Sequence, residues 1–309
     1  MTVLGPIPPE QLGLTLIHEH LLVDFRGAGL PSYGTWDRTA VREAVRPFVE
    51  AAMARGVRSM LDCTPNYLGR DVRLLKEISE ETGLQLLTNT GYYGAVNNKY
   101  LPAWTFTESA AQLARRWIRE YEEGIDGTGI RPGFIKIGVN PGPLSAVHQK
   151  LIRAAGLTHL ATGLTICSHT GPAQGAMEQI KILKELGVSP GAFVWVHAQN
   201  ELDKSQYRKA ARDGAWVSLD GMGWGKEKQY AEWLATLKAQ GNLSKVLVSH
   251  DAGCYRPGEA DPMAKFAGYT ALFDTVRPLL EKKGFVEKDF DQLLLDNPAR
   301  AFTLSVRKL

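Results

Sequence analysis

Leu14-Thr15-Leu16-Ile17-His18-Glu19-His20 is an apolar run of strand length that ends in a histidine–acid–histidine triplet. On a strand, residues two apart project to the same face, so both imidazoles reach one point while Glu19 turns the other way. An open, doubly wound nucleotide-binding sheet carries a glycine-rich phosphate loop after its first strand. Histidines stand there instead. The run therefore favours a closed barrel of parallel strands, whose chemistry gathers at the C-terminal strand ends.

Seven more short apolar runs follow this first one at residues 14–20. They lie at 57–64, 84–90, 134–139, 164–169, 193–197, 216–220 and 246–251. Most are apolar on both faces apart from their last residues, as strands covered on both sides must be. Helix-period segments alternate with them at 39–55, 71–82, 109–123, 174–186, 202–213 and 230–240, each followed by glycine. That helix–glycine–strand rhythm is the αβ connection of a regular alternating fold. Eight such strands predict an α/β protein, a single (β/α)8 TIM barrel over residues 1–309, with its active site at the C-terminal ends of the strands. A barrel of about 250 residues plus insertions accounts for the whole length.

The composition narrows the function. A hydrophobic share of 44% and a charged share of 22% are those of a soluble globular protein. A net charge of +3 with no run of like charges argues against nucleic acid as a partner. No apolar stretch reaches the roughly 18–20 residues of a membrane span. Cys63, Cys167 and Cys254 are odd in number and far apart, so they predict neither a disulfide framework nor a metal pair. Cys63 and Cys167 read as buried thiols. The N-terminus shows no basic segment followed by an apolar one, which points to the cytoplasm unless a leader has been trimmed.

The strand ends carry the chemistry. The fifth run ends in Cys167-Ser168-His169, the sixth in Trp195-Val196-His197 and the eighth in Ser249-His250-Asp251. A single histidine at a strand end is most often a hydrogen-bonded core residue. Four histidines and an aspartate at the matching ends of four strands are the donors that zinc and similar divalent ions accept. His148 and His159 fall outside the runs and read as structural or surface residues. His250 alternates with Asp251 and should face away from the axis. Phe134-Ile135-Lys136-Ile137-Gly138 places a lysine inside an apolar strand, where an unpaired ammonium is costly. It has three fates: pairing with a carboxylate, forming a Schiff base, or taking up carbon dioxide as an anionic carbamate that bridges two cations.

Laid out this way, the chain resembles the phosphotriesterase family of the amidohydrolase superfamily. The likeness runs from Leu4-Gly5-Pro6 and the 12–20 segment, through 123–138 and Ser249-His250-Asp251, to Asp296-Asn297-Pro298-Ala299-Arg300. The resemblance implies two divalent ions, zinc by preference. His18, His20 and Asp251 would hold the more buried ion, and His169 and His197 the more exposed one. Lys136, carboxylated by carbon dioxide, and a hydroxide would bridge them, with Asp251 accepting the proton of the attacking hydroxide. It also implies a homodimer and a small-molecule substrate with an ester-type bond: a lactone, another carboxylic ester or an organophosphate triester. Tyr93 aligns with a tyrosine that lactonase-like members carry beside the metals. Gly221 stands where those lactonases have an arginine, a departure that weakens a simple acyl-homoserine lactonase reading. Trp224, Cys254, Tyr255 and Arg256 are expected to line the substrate pocket. The alternative is a metal-free Schiff-base lyase or aldolase using Lys136, which leaves the strand-end histidines without a task.

Overall fold

The computed structural model describes residues 1–30 and 34–309. Its strands are β1 (Thr15–Leu22), β2 (Ser59–Asp62), β3 (Gln85–Leu87), β4 (Asn89–Thr90), β5 (Phe134–Gly138), β6 (Ile166–His169), β7 (Phe193–Val196), β8 (Trp216–Leu219), β9 (Val246–Val248) and β10 (Gly253–Tyr255). Neighbours pair in parallel in the order β1–β2–β3 and β4–β5–β6–β7–β8–β9. β3 and β4 are the two halves of the single strand expected at 84–90. The first half pairs with β2 and the second with β5, so the break at Thr88 is a change of partner within one barrel position. The circle closes where Asp251 N–H donates to the His18 carbonyl at 3.0 Å and His20 N–H to Ala252 at 2.9 Å. This is the TIM barrel.

One strand was not expected. After Asp251 the chain turns and runs on as β10, parallel to the end of β1, with His20 opposite Gly253 and Leu22 opposite Tyr255. This path needs positive φ at Asp251 (51°) before the strand and at Gly253 (95°) and Cys254 (72°) within it. A Cβ at Gly253 would run into the His20 carbonyl oxygen, so only glycine fits there.

The six expected helices lie within a few residues of their expected positions, a further helix (Ala146–Thr162) and short C-terminal ones join them, and several starts have physical causes. Asp37 and Asp71 accept backbone N–H bonds at the starts of Arg38–Met53 and Val72–Thr82, and Ser109 with Gln112 forms a capping box on Ala110–Glu123. Helix Ala146–Thr162 holds both histidines read as structural or surface, and it buries both. His148 Nε2 donates to the Gly94 carbonyl at 3.0 Å, so these are structural residues. Two apolar layers result. The larger lies between strands and helices; the smaller fills the barrel with Ile17, Leu61, Leu87, Phe134, Val194 and Leu247, and Phe302 packs with it. No helix among the described residues is long and apolar enough to cross a membrane.

Candidate active site

Lys136 shares its face of β5 with the interior residue Phe134, two positions earlier, and is itself buried. Its Nζ lies 3.1 Å from His18 Nε2. The lysine therefore points into the barrel, under the strand-end histidines.

Three of the expected ligands sit where the backbone leaves regular strand geometry. β1 is bulged between Leu16 and Glu19, His197 has φ 61° and Asp251 has φ 51°. Bulges and left-handed residues of this kind re-aim side chains at active sites. Here they bring the donors together. One ligand atom each from His18, His197 and Asp251 lies within 4.8 Å of the others. Asp251 Oδ1 is 3.4 Å from His18 Nε2 and 3.1 Å from His20 Nε2, whereas Oδ2 faces His197 Nε2 at 3.9 Å. One carboxylate thus spans both halves of the cluster. His169 packs edge-on against His197, with ring centroids 4.4 Å apart, and its Nδ1 meets the Tyr93 hydroxyl at 3.1 Å.

The ring nitrogens opposite the cluster are fixed by acceptors. Asp220, fully buried, takes His18 Nδ1–H at 3.0 Å on Oδ2 and His197 Nδ1–H at 2.7 Å on Oδ1. The Thr64 hydroxyl donates to the Leu22 carbonyl at 3.0 Å, so its oxygen accepts from His20 Nδ1–H at 2.8 Å. Each of these three rings therefore presents an unprotonated Nε2 to the centre, the tautomer a metal ligand requires. The donor set fits divalent ions.

Electrostatics agree. Burial alone would raise the Asp220 carboxyl, but His197 and His18 hold it well below the usual carboxylate range. Asp251 is likewise held low against its burial, chiefly by its contacts with His18 and His20. Burial and the nearby Lys136 push His18 down to about 4, and burial with His197 pushes His169 well below its ordinary value. Burial would lower His197 as well, but its contact with Asp220 raises it. Burial raises the Tyr93 hydroxyl, which stays protonated.

Glu19, pointing away as expected, anchors the Asp251 turn from behind. Its Oε1 accepts from Ser249 Oγ and His250 Nδ1, both at 2.7 Å, and its Oε2 from Ala252 N–H at 3.0 Å. His250 faces away from the cluster, as its alternation predicted.

The cluster floors a cavity of about 230 Å³. Tyr93, Trp224, Cys254 and Arg256 line it, joined by Phe25, Cys63 and Leu68, which sequence reasoning did not single out. Tyr255 is not among its lining residues; it sits in β10 beside Leu22. Sequence reasoning also missed Asp220 and Thr64 as orienting groups. Asp220 had a legible signal, an acid at the end of an apolar strand in the layer of the histidines. Gly221 has its own reason. A Cβ there would lie 2.5 Å from the buried Tyr230 hydroxyl, which occupies the direction a longer residue would take.

The fold and the site define a (β/α)8-barrel hydrolase with a histidine–carboxylate centre at the mouth of the barrel. The phosphotriesterase family model matches residues 1–302, and the chain belongs to that family. It is 31% identical over 298 residues to the phosphotriesterase homology protein of Escherichia coli (strain K12), covering 95% of this chain and 99% of that protein. It is 29% identical to the aryldialkylphosphatase of Saccharolobus solfataricus, over 96% of this chain and 97% of that one. The structure of a variant PTE-like lactonase from Deinococcus radiodurans superposes with a TM-score of 0.88 at 30% identity, covering 98% of this chain and 99% of that chain.

Proposed function

We propose that the chain is a binuclear metal hydrolase of an ester-type bond: a lactone, another carboxylic ester or an organophosphate triester. The observation that carries this reading is the convergence of His18, His197 and Asp251 within 4.8 Å, beside the buried Lys136 amine. His18, His20 and Asp251 would hold one ion and His169 and His197 the other, with Lys136, as its carbamate, shared between them. When bound, two divalent ions, zinc by donor type, supply Lewis-acid polarisation of the substrate oxygen and a water acidic enough to attack at neutral pH.

The protein's own groups do the rest. Asp251, ionised at neutral pH and with its side chain about a quarter exposed, receives the proton of the attacking water on a carboxylate oxygen. Asp220 and Thr64 keep the imidazoles in the tautomer that leaves Nε2 free. Tyr93, protonated and beside His169, would donate to the substrate oxygen where charge develops. The Schiff-base alternative gives His20, His169 and His197 no work, and its signature would be borohydride trapping on Lys136.

The deciding experiment loads the protein with zinc, manganese or cobalt and assays γ- and δ-lactones, sugar lactones, aryl esters and paraoxon-type triesters. Hydrolysis lost on chelation and restored by metal is expected. Activity that survives full chelation would refute the reading.

A further inference from the structure

The groups lining the cavity divide by charge. Its floor holds the histidines, Lys136 and Asp251, while the residues above it are apolar or uncharged, with one exception: Arg256. Among the described lining residues Arg256 is the one ionised side chain that is not part of the floor. Its guanidinium lies over the Phe25 ring, 4.9 Å from the centroid, which limits the directions it can take. Its backbone is held as well, with Arg256 N–H donating to the Pro262 carbonyl at 3.0 Å.

The guanidinium is not consumed by the fold. Its Nε is buried and has no hydrogen-bond partner among the described residues. Among the described residues its one ion pair joins NH1 to Glu259 at 3.5 Å, and that carboxylate is 43% exposed. An exposed pair of that length is screened by solvent and contributes little. A buried donor left unmade is costly, and the two terminal nitrogens, which take no hydrogen bond among the described residues, keep the edge of the guanidinium open to a ligand acceptor at the cavity. Trp224 adds a largely exposed indole to the same cavity, its ring fixed by an Nε1–H bond to the His250 carbonyl at 2.9 Å. The chamber thus combines a hydrolytic floor, an aromatic wall and a pre-set planar cation.

We infer that Arg256 is a specificity residue that receives an oxyanion at the end of the substrate remote from the scissile bond, so that the preferred substrates are esters or lactones with an anionic tail. The inference deepens the reading of the site as a metal hydrolase and rests on it. A guanidinium presents a fork that matches a two-oxygen anion, and bonds of this kind to charged groups contribute about 1.5–3 kcal/mol. That corresponds to roughly a 10- to 150-fold preference for a charged over a neutral tail. A carboxylate, a sulfonate and a phosphate share the required chemistry.

The test uses metal-loaded protein and short-chain hydroxamates, whose heads are metal ligands and resist hydrolysis. Tails are carboxylate, sulfonate, phosphate or neutral primary amide on the same two- to four-carbon spacer, and affinity is read by titration calorimetry. Wild type is expected to bind at least one charged tail about tenfold or more tighter than the amide, and the preferred tail identifies the oxyanion. In Arg256→Gln that preference should fall to near one, and Arg256→Lys should restore part of it. Melting temperatures of both variants show whether either has lost its fold, and the Lys variant keeps the test decisive if the Gln variant has. Equal binding of charged and neutral tails by wild type, or equal weakening of both in Arg256→Gln, would overturn the role of Arg256 and leave the metal reading intact. Failure of wild type to bind any hydroxamate would overturn both.

Discussion

Asp220→Asn is the most direct probe of how the site is held. The native carboxylate accepts His18 Nδ1–H at 3.0 Å and His197 Nδ1–H at 2.7 Å on its two oxygens, with Ser218 Oγ at 2.6 Å and Gln199 Nε2 at 3.0 Å as further donors. Asparagine keeps the shape and offers one accepting oxygen. Its amide nitrogen must then face either His18 Nδ1 or His197 Nδ1. That imidazole has to move its proton to Nε2, the atom that would bind metal, or leave a buried donor unpaired. One ligand of one ion is lost or weakened in either case. Removing an orienting partner of this kind costs about 10- to 100-fold in metal affinity, or about 1.4–2.8 kcal/mol. The assay is competition against a chromophoric zinc chelator, with elemental analysis for stoichiometry and the melting temperature of the metal-free protein as a control. We expect close to two ions per wild-type chain and a weakened site in the variant, with activity largely recovered at high zinc. Unchanged affinity and stoichiometry in a folded Asp220→Asn protein would refute the orienting role.

Lys136→Ala should lose metal and activity together, and short carboxylates should restore part of both by replacing the anionic bridge; a fully active variant would remove Lys136 from the centre. Gly221→Ala should destabilise the fold by about 1–3 kcal/mol, since its methyl group meets the buried Tyr230 hydroxyl. Tyr230→Phe should relieve much of that cost in a double-mutant cycle read by denaturant unfolding, and strict additivity would contradict it. His159 donates from Nδ1 to the Leu164 carbonyl at 2.8 Å and accepts Arg307 N–H at 2.9 Å, a pairing only the neutral ring can make. Burial lowers its pKa below 6.5, so the unfolded chain takes up the proton first as pH falls, and the stability His159 contributes above that value is lost below it. His159→Gln, which can donate and accept at once, should therefore close its melting-temperature gap to wild type between about pH 7.5 and about pH 5. A constant gap would count against the neutral ring.

The barrel was legible because its signals are local. Each strand is a short apolar run, each αβ connection a glycine, and the helix starts at Asp37, Asp71 and Ser109 are capped by side chains one can name in advance. The centre was legible as residue types at strand ends. What stayed hidden depends on partners distant in sequence. Asp220 matters because it meets His18 across 202 positions, and Arg256 because Phe25 lies beneath its guanidinium. Neither contact leaves a trace in spacing. β10 was hidden for another reason. Its run is short, follows a residue with positive φ (Asp251) and carries positive φ at Cys254 within it, a conformation that a cysteine rarely takes. Tyr255 was placed in the pocket on the assumption that this segment is a loop; in a strand it alternates with Cys254 and Arg256, which line the cavity, and it does not.

The same backbone features that defeat alternation explain why the centre can exist. In a regular strand every second residue faces the barrel, and Ile17 already does so inside its apolar core. A strict alternation from Ile17 would send His18 outward; the bulge between Leu16 and Glu19 turns it in. Val196 packs in the same core, and the left-handed turn at His197 likewise recovers the inward direction for its imidazole. Such positions cost about 1–3 kcal/mol each and persist only where the surroundings over-determine them. Two buried carboxylates supply that constraint. Asp220 grips both re-aimed imidazoles, taking the His197 N–H as well as the ring, and Glu19 takes four donors from the Ser249–Ala252 turn that carries Asp251. Weakening either carboxylate should therefore relax backbone geometry as well as tautomer. This predicts that Glu19→Gln, which touches none of the expected ligands except through the turn, lowers metal affinity through Asp251, whereas an equally buried polar change outside these networks, such as Thr158→Val, leaves affinity unchanged.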